Sequence, residues 1–138
     1  MLTLKPVKTE FKISTTDLIL VYTESGGTKI EVGAIPVIPN NEEKCVNIAI
    51  SFTIVAEAKC VTINFYECFY NDFCISEEPS EEYRLSYSGF YEVIDSRYLQ
   101  ENRKLYDPKD RLHLKHFIIT GYDSYIEVIA AAYTIERV

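Results

Sequence analysis

Two histidines and two carboxylates crowd into one stretch near the end of the chain: His113, His116, Asp123 and Glu127, within LHLKHFIITGYDSYIEVIAAAYTI at residues 112–135. An imidazole oriented by a carboxylate can act as a general base, because the carboxylate fixes the ring tautomer and raises its basicity. A pair of histidines can instead hold a metal, provided that both lie on one face of their element. The element that carries them decides which chemistry is open.

The run HFIIT is rich in β-formers, and residues three apart on a strand point to opposite faces. An H-x-x-H metal pair is therefore not expected from His113 and His116. The segment TGYDSY turns the run back on itself, and with either two or four residues in the turn Phe117 faces Val128 and Ile118 faces Glu127. This register makes a core face of Phe117, Ile119, Ile126, Val128 and Ala130. It leaves Glu127 diagonal to His116, about 7–8 Å away between Cα atoms, a gap that the two side chains can bridge. His116 and Glu127 are the candidate catalytic pair, with Arg111 or Tyr125 available to bind an anionic substrate. Catalysis also needs a nucleophile, a metal or an oxyanion hole, and no G-x-S-x-G, H-E-x-x-H, P-loop or dinucleotide fingerprint occurs. The pair reads as a structural or surface contact, Asp123 as a turn residue, and no metal or cofactor is expected.

The second chemical feature is charge. Of the net charge of −7, residues 67–82 (ECFYNDFCISEEPSEE) contribute six acids and no Lys or Arg, while residues 97–116 carry six Lys or Arg against three acids. An acidic loop flanked by aromatics suits recognition of a basic protein surface, where complementary fields speed association. The binding candidates are Tyr70, Asp72, Glu77, Glu78, Glu81, Glu82 and Tyr83. A chain of this net charge repels phosphate backbones, and no finger or RNP-like pattern opposes that, so no nucleic acid is expected.

At 138 residues, 47% of them hydrophobic and 25% charged, the chain suits one β-rich domain over residues 1–138 that buries about two-thirds of its unfolded surface. No apolar run is long enough to span a bilayer and no signal peptide opens the chain, so a cytoplasmic protein is expected, with no membrane partner. Cys45, Cys60, Cys68 and Cys74 lack C-x-x-C spacing and read as buried, reduced thiols.

Strands must position these residues. DLILVYTESGGTKIEVGAI predicts a hairpin with Gly26-Gly27 as its two-residue turn, pairing Thr23 with Ile30, Val21 with Val32 and Ile19 with Ala34 on the apolar face, and Glu24 with Lys29 on the other. CVNIAISFTIV alternates, with Val46, Ile48, Ile50, Phe52 and Ile54 inward. CVTINFYECFYNDFCI favours a strand bulged near Glu67, with a helical turn as the alternative. YRLSYSGFYEVI is a further strand with Gly89 as a possible bulge. DSRYLQENRKL is the one good helix, near residues 96–104, capped by Asp95 or Ser96 and ended by Asp107-Pro108. The fold expected is mainly β: an antiparallel β-sandwich or partly open barrel with that one short helix.

The function expected is a non-catalytic, cytosolic protein-binding module of the inhibitor or immunity-protein kind, using the acidic loop. The alternatives are a small hydrolase-like enzyme built on His116 and Glu127, and a small-molecule-binding β-barrel with a cavity under its Phe and Tyr cluster. An open sheet would also leave an edge strand for homodimer formation.

Overall fold

The computed structural model describes residues 1–14, 17–36, 44–76 and 88–138. Nine strands carry the fold: β1 (Leu2–Pro6), β2 (Phe11–Ile13), β3 (Ile19–Thr23), β4 (Gly27–Pro36), β5 (Val46–Val61), β6 (Phe73–Ile75), β7 (Phe90–Ile94), β8 (Lys115–Thr120) and β9 (Tyr125–Arg137). Helix α1 (Phe65–Cys68) follows β5, and α2 (Arg97–Tyr106) follows β7. The strands form one sheet in the order β2-β4-β5-β9-β8-β7-β1-β6, with β3 beside β2 on the outer edge of β4. The sheet curls into a half-barrel, the partly open barrel that the strand pattern anticipates. Among the described junctions only β1–β6 is parallel.

The curl explains the main core. Phe52 of β5 and Phe90 of β7 are separated by two strands, yet their rings stand 6.3 Å apart and both meet Phe117 of β8. Their face is concave, and Ile30, Ile50, Ile119, Ile126 and Val128 fill it. Each such side chain removed from water contributes about 1.5–3 kcal/mol. The opposite, convex face is also covered in part: Leu4, Tyr91, Val93, Ile118 and Tyr125 pack there with Phe65 of α1. The Phe65 ring lies 5.0–6.5 Å from those of Tyr66, Phe69, Phe73, Tyr91 and Tyr125, so this aromatic cluster is itself a packed core.

The β8–β9 hairpin has the expected register, with Phe117 opposite Val128 and Ile118 opposite Glu127 across a four-residue turn, Gly121–Ser124. The β3–β4 hairpin departs from expectation. Thr23 pairs with Gly27 and Leu20 with Ile30, because the Thr23 hydroxyl accepts the Gly26 N–H at 2.7 Å and Gly27 takes up φ +78°. That is an odd shift from the two-residue turn, so every β3 side chain changes face. Leu20 packs on the core, while Ile19 and Val21 are exposed. Lys29 pairs with Glu31, at 3.4 Å, rather than with Glu24. With Tyr22 also exposed, β3 is an apolar edge strand to which no other strand among the described residues is paired on its outer side.

Strand β5 alternates as predicted only as far as Phe52. Ile54 adopts φ +54° and is 56% exposed, and the pairing with β9 then slips by one residue between Val55 and Glu57. A bulge bends its strand and sharpens the local twist; here it falls midway along the two longest strands, where the sheet must curl.

In the segment CVTINFYECFYNDFCI the helical turn prevails over a strand bulged near Glu67. Asn64 caps α1, its Oδ1 accepting the Tyr66 and Glu67 N–H groups, which stops the extended run at Val61. Gly89, at φ +86°, precedes β7 without forming a bulge in a described strand, and a Cβ there would lie 2.7 Å from Ile13 Cβ and 2.9 Å from Thr120 Oγ1. The part of that predicted strand at 83–87 lies outside the described residues. All four cysteines are free but exposed, not buried. They sit before β5, at its far end, at the close of α1 and in the three-residue β6; beside the last three, Val61, Phe69, Phe73 and Ile75 pack in the second core while the cysteines stay outside it.

Candidate functional site

The convex face of β5, β9 and β8 carries a row of polar side chains under α2. The hairpin register sets His116 beside Ile129 and Glu127 beside Ile118, and the bulged β5 brings Glu57 opposite Ile129 and Lys59 opposite Glu127. Polar groups thus bracket the fully buried Ile129. The predicted diagonal contact forms: His116 Nε2 lies 3.0 Å from Glu127 Oε1.

A third group completes the contact. Ser96 Oγ is 2.7 Å from His116 Nδ1 and accepts the Leu99 N–H at 3.1 Å, so Ser96, not Asp95, is the α2 cap. In the neutral imidazole, Nε2–H donates to the Glu127 carboxylate while Nδ1 accepts the Ser96 hydroxyl proton, and every polar atom is satisfied.

Beyond His116 the network continues. Lys59 Nζ lies 2.9 Å from Glu127 Oε2 and 5.3 Å from the centroid of the Tyr98 ring. The Tyr98 hydroxyl donates to Glu57 Oε1 and Oε2, at 2.8 and 2.7 Å, and the Tyr106 hydroxyl donates to Glu57 Oε2. Burial pushes the Glu127 carboxyl up, but the hydrogen bonds from His116 and Lys59 outweigh it and hold the group below the ordinary carboxylate value. Burial likewise raises Glu57, where the hydrogen bonds from Tyr106 and Tyr98 and the charge of Lys59 reverse the balance. The hydrogen bond to Glu127 raises Lys59, and the one to Glu57 raises Tyr98.

The order hydroxyl, imidazole, carboxylate is that of a nucleophile, its base and its orienter. A nucleophile must reach its substrate, and here Ser96 is 7% and His116 3% exposed. The Ser96 hydroxyl is committed to a helix cap, and both ring nitrogens are engaged. What the arrangement does is fasten a helix with no buried residues of its own onto the sheet by polar contacts. Among the described residues no three His, Cys, Asp or Glu side chains are grouped to hold a metal. No family model, curated protein or solved structure matches the chain.

The other residues of the enzymatic reading are not brought to this pair. Tyr125 packs in the aromatic cluster, where burial pushes its hydroxyl up to about 12. The Arg111 backbone N–H bonds Asp107, and His113 precedes β8, exposed, with φ +54°. Asp123 is exposed in the β8–β9 turn. Sequence reasoning missed Ser96, Glu57, Lys59, Tyr98 and Tyr106 as partners. A signal was present: Tyr98, Asn102 and Tyr106 recur at intervals of four, one face of a helix, and Glu57 and Lys59 at two, one face of a strand.

Of the acidic binding candidates, Tyr70 and Asp72 are described; Glu77, Glu78, Glu81, Glu82 and Tyr83 lie outside the described residues. Tyr70 is 76% exposed just after α1, and Asp72 is exposed with the N-terminal ammonium 3.8 Å from its carboxylate. The β8–β9 turn adjoins this segment: Asn64 Nδ2 donates to Tyr122 O at 2.7 Å, and the Phe69 and Tyr125 rings are 5.9 Å apart. Ile63 and Tyr122, both exposed, belong to the same end of the half-barrel.

Proposed function

We propose that the protein is a non-catalytic binding module, acting in the cytoplasm, that engages a protein partner with a basic surface through the end of the half-barrel formed by α1 and the β8–β9 turn. The observation that carries the reading is that Tyr70 and Tyr122 are both exposed, on adjoining loops whose formal charges, Glu67, Asp72 and Asp123, are acidic. No Lys or Arg occurs in residues 60–76 or 117–136, and the sequence continues from Ser76 into four more glutamates. Tyrosine supplies apolar area with a polar tip and is enriched at interface centres, while the surrounding charge selects and steers the partner. Four free thiols suit a reducing compartment, and among the described residues no helix is long and apolar enough to cross a membrane.

The test is affinity capture from lysate of the source cells with the tagged wild type and two variants, Y70A/Y122A and D72K/D123K, washed at low salt and at about 0.5 M salt, where exposed charges are screened within a few ångströms. A stoichiometric partner that the wild type retains at low salt and both variants lose supports the reading. Retention of the same partner by both variants overturns it.

A further inference from the structure

A second surface owes nothing to the acidic end. A pocket of about 240 Å³ opens between α2 and the loop that leads from it to β8. Leu99 and Leu114 supply its apolar lining, and Arg103, His113 and Lys115 its basic groups. Arg103 and Lys115 are two of the six Lys or Arg in the segment 97–116, and neither the helix fastening nor the binding end uses these three groups.

Their availability is the first argument. Among the described residues the Arg103 guanidinium and the His113 ring have no side-chain partner, and Lys115 Nζ has only Glu92, 4.0 Å away. Two carboxylates also line the pocket. Asp107 is committed: it is buried, and its oxygens accept the Arg111 and Leu112 N–H groups at 2.9 and 3.1 Å. Asp110 is exposed, so the lining sets Arg103, Lys115 and His113 against two carboxylates, one of which is already engaged by backbone amides.

The second argument is conformational. Asp110 and His113 hold φ +49° and +54°, left-handed values that neither a glycine nor a regular element requires of them. The Asp107 carboxylate, by gripping the two amides between them, keeps this loop in its strained path and so presents His113 at the pocket. Strain maintained in this way is characteristic of ligand clamps.

We propose that this pocket binds a small organic oxyanion, a carboxylate or a phosphate ester, with the charged head at the Arg103 guanidinium and a short apolar part against Leu99 and Leu114. Arg103 suits the head because its planar fork offers paired donors to an oxyanion and is less strongly hydrated than an ammonium. The volume lies below the range typical of drug-sized ligands, which limits the occupant to a small molecule.

Backbone amide NMR of the intact chain, titrated separately with inorganic phosphate, isovalerate and acetate at constant ionic strength, tests the proposal. Saturable shifts confined to residues 99–115 are expected, with isovalerate binding more tightly than acetate because it alone fills the apolar part. Arg103→Ala should weaken saturable binding about tenfold, the loss of one charge-assisted hydrogen bond, whereas Lys104→Ala, a neighbouring exposed cation outside the lining, should leave it unchanged. Tighter phosphate than isovalerate identifies the head as a phosphate, and the reverse identifies a carboxylate. Shifts that rise linearly with every probe, or saturable binding that Arg103→Ala leaves intact, overturn the site. The amide spectrum of Arg103→Ala away from the pocket shows that the variant is folded.

Discussion

His116 and Glu127 sit diagonally across the β8–β9 hairpin, Nε2 to Oε1 3.0 Å, because Glu127 lies directly opposite Ile118 rather than opposite the histidine. The diagonal leaves the far side of the ring, Nδ1, facing Ser96 at the start of α2. One imidazole therefore joins the hairpin to a helix that has no buried residues of its own.

Removing the imidazole should loosen the helix. His116→Ala leaves the Glu127 and Ser96 oxygens short of a buried partner, and the expected cost is about 1–3 kcal/mol, read as a lowered urea midpoint with an unchanged m-value. His116→Gln, whose amide can still donate to Glu127, should recover part of it. In the wild type, ¹⁵N spectra of the neutral ring should show the proton on Nε2. A proton on Nδ1 would contradict the assigned hydrogen bonds.

Acid should act on the same network. Glu127 and Glu57 are both held below the ordinary carboxylate value of 4.5, so the folded state binds their protons less readily than the unfolded chain does. Their contribution is complete above 4.5 and is lost as pH falls through the lowered folded values. Urea midpoints measured from about pH 7 to about pH 3 should drop steeply in the wild type and more gently in Glu127→Gln, which is less stable at neutral pH but has one fewer such proton to take up. Parallel curves for the two proteins would show that Glu127 contributes nothing to acid sensitivity. Lys59 works in the opposite direction, since Glu127 raises it, and its share persists at neutral pH and fades only above its ordinary value of 10.5.

What the sequence discloses and what it hides follow from the range of the interactions. The β8–β9 register was legible because either turn length gives the same pairing, and α2 because its cap, its basic last turn and its Asp-Pro stop are all local. The β3–β4 register was not, since a single hydroxyl, Thr23 Oγ1 on Gly26 N–H, selects a three-residue loop. Nor was the triad of Ser96, His116 and Glu127 legible as a whole: its His–Glu half is a hairpin contact eleven residues apart, whereas Ser96 reaches the ring only through the packing of α2 on the sheet. The cysteines illustrate the same limit, because an apolar residue type says nothing of whether it or its neighbour in the chain enters the core.

Strain should be relievable at the bulge. Ile54 is β-branched, exposed and at φ +54°, a combination that costs free energy while burying little. Ile54→Gly should hold or raise stability, by up to about 1 kcal/mol, because glycine adopts that angle without a Cβ clash. A clear loss of stability would mean that the exposed isoleucine makes contacts worth more than its backbone strain.

Thiol chemistry checks the placement of the cysteines directly. Cys45, Cys60, Cys68 and Cys74 are all exposed and free, so a bulky disulfide reagent should modify all four in the native protein without denaturant. Cys74 differs from Cys60 and Cys68 in its surroundings, since its thiol donates to Thr3 Oγ1 at 3.7 Å and must break that bond to react; Thr3→Val should speed its modification while leaving Cys60 and Cys68 unchanged. Thiols that react only after urea is added would place these residues in the core and contradict the arrangement of β5, α1 and β6 described above.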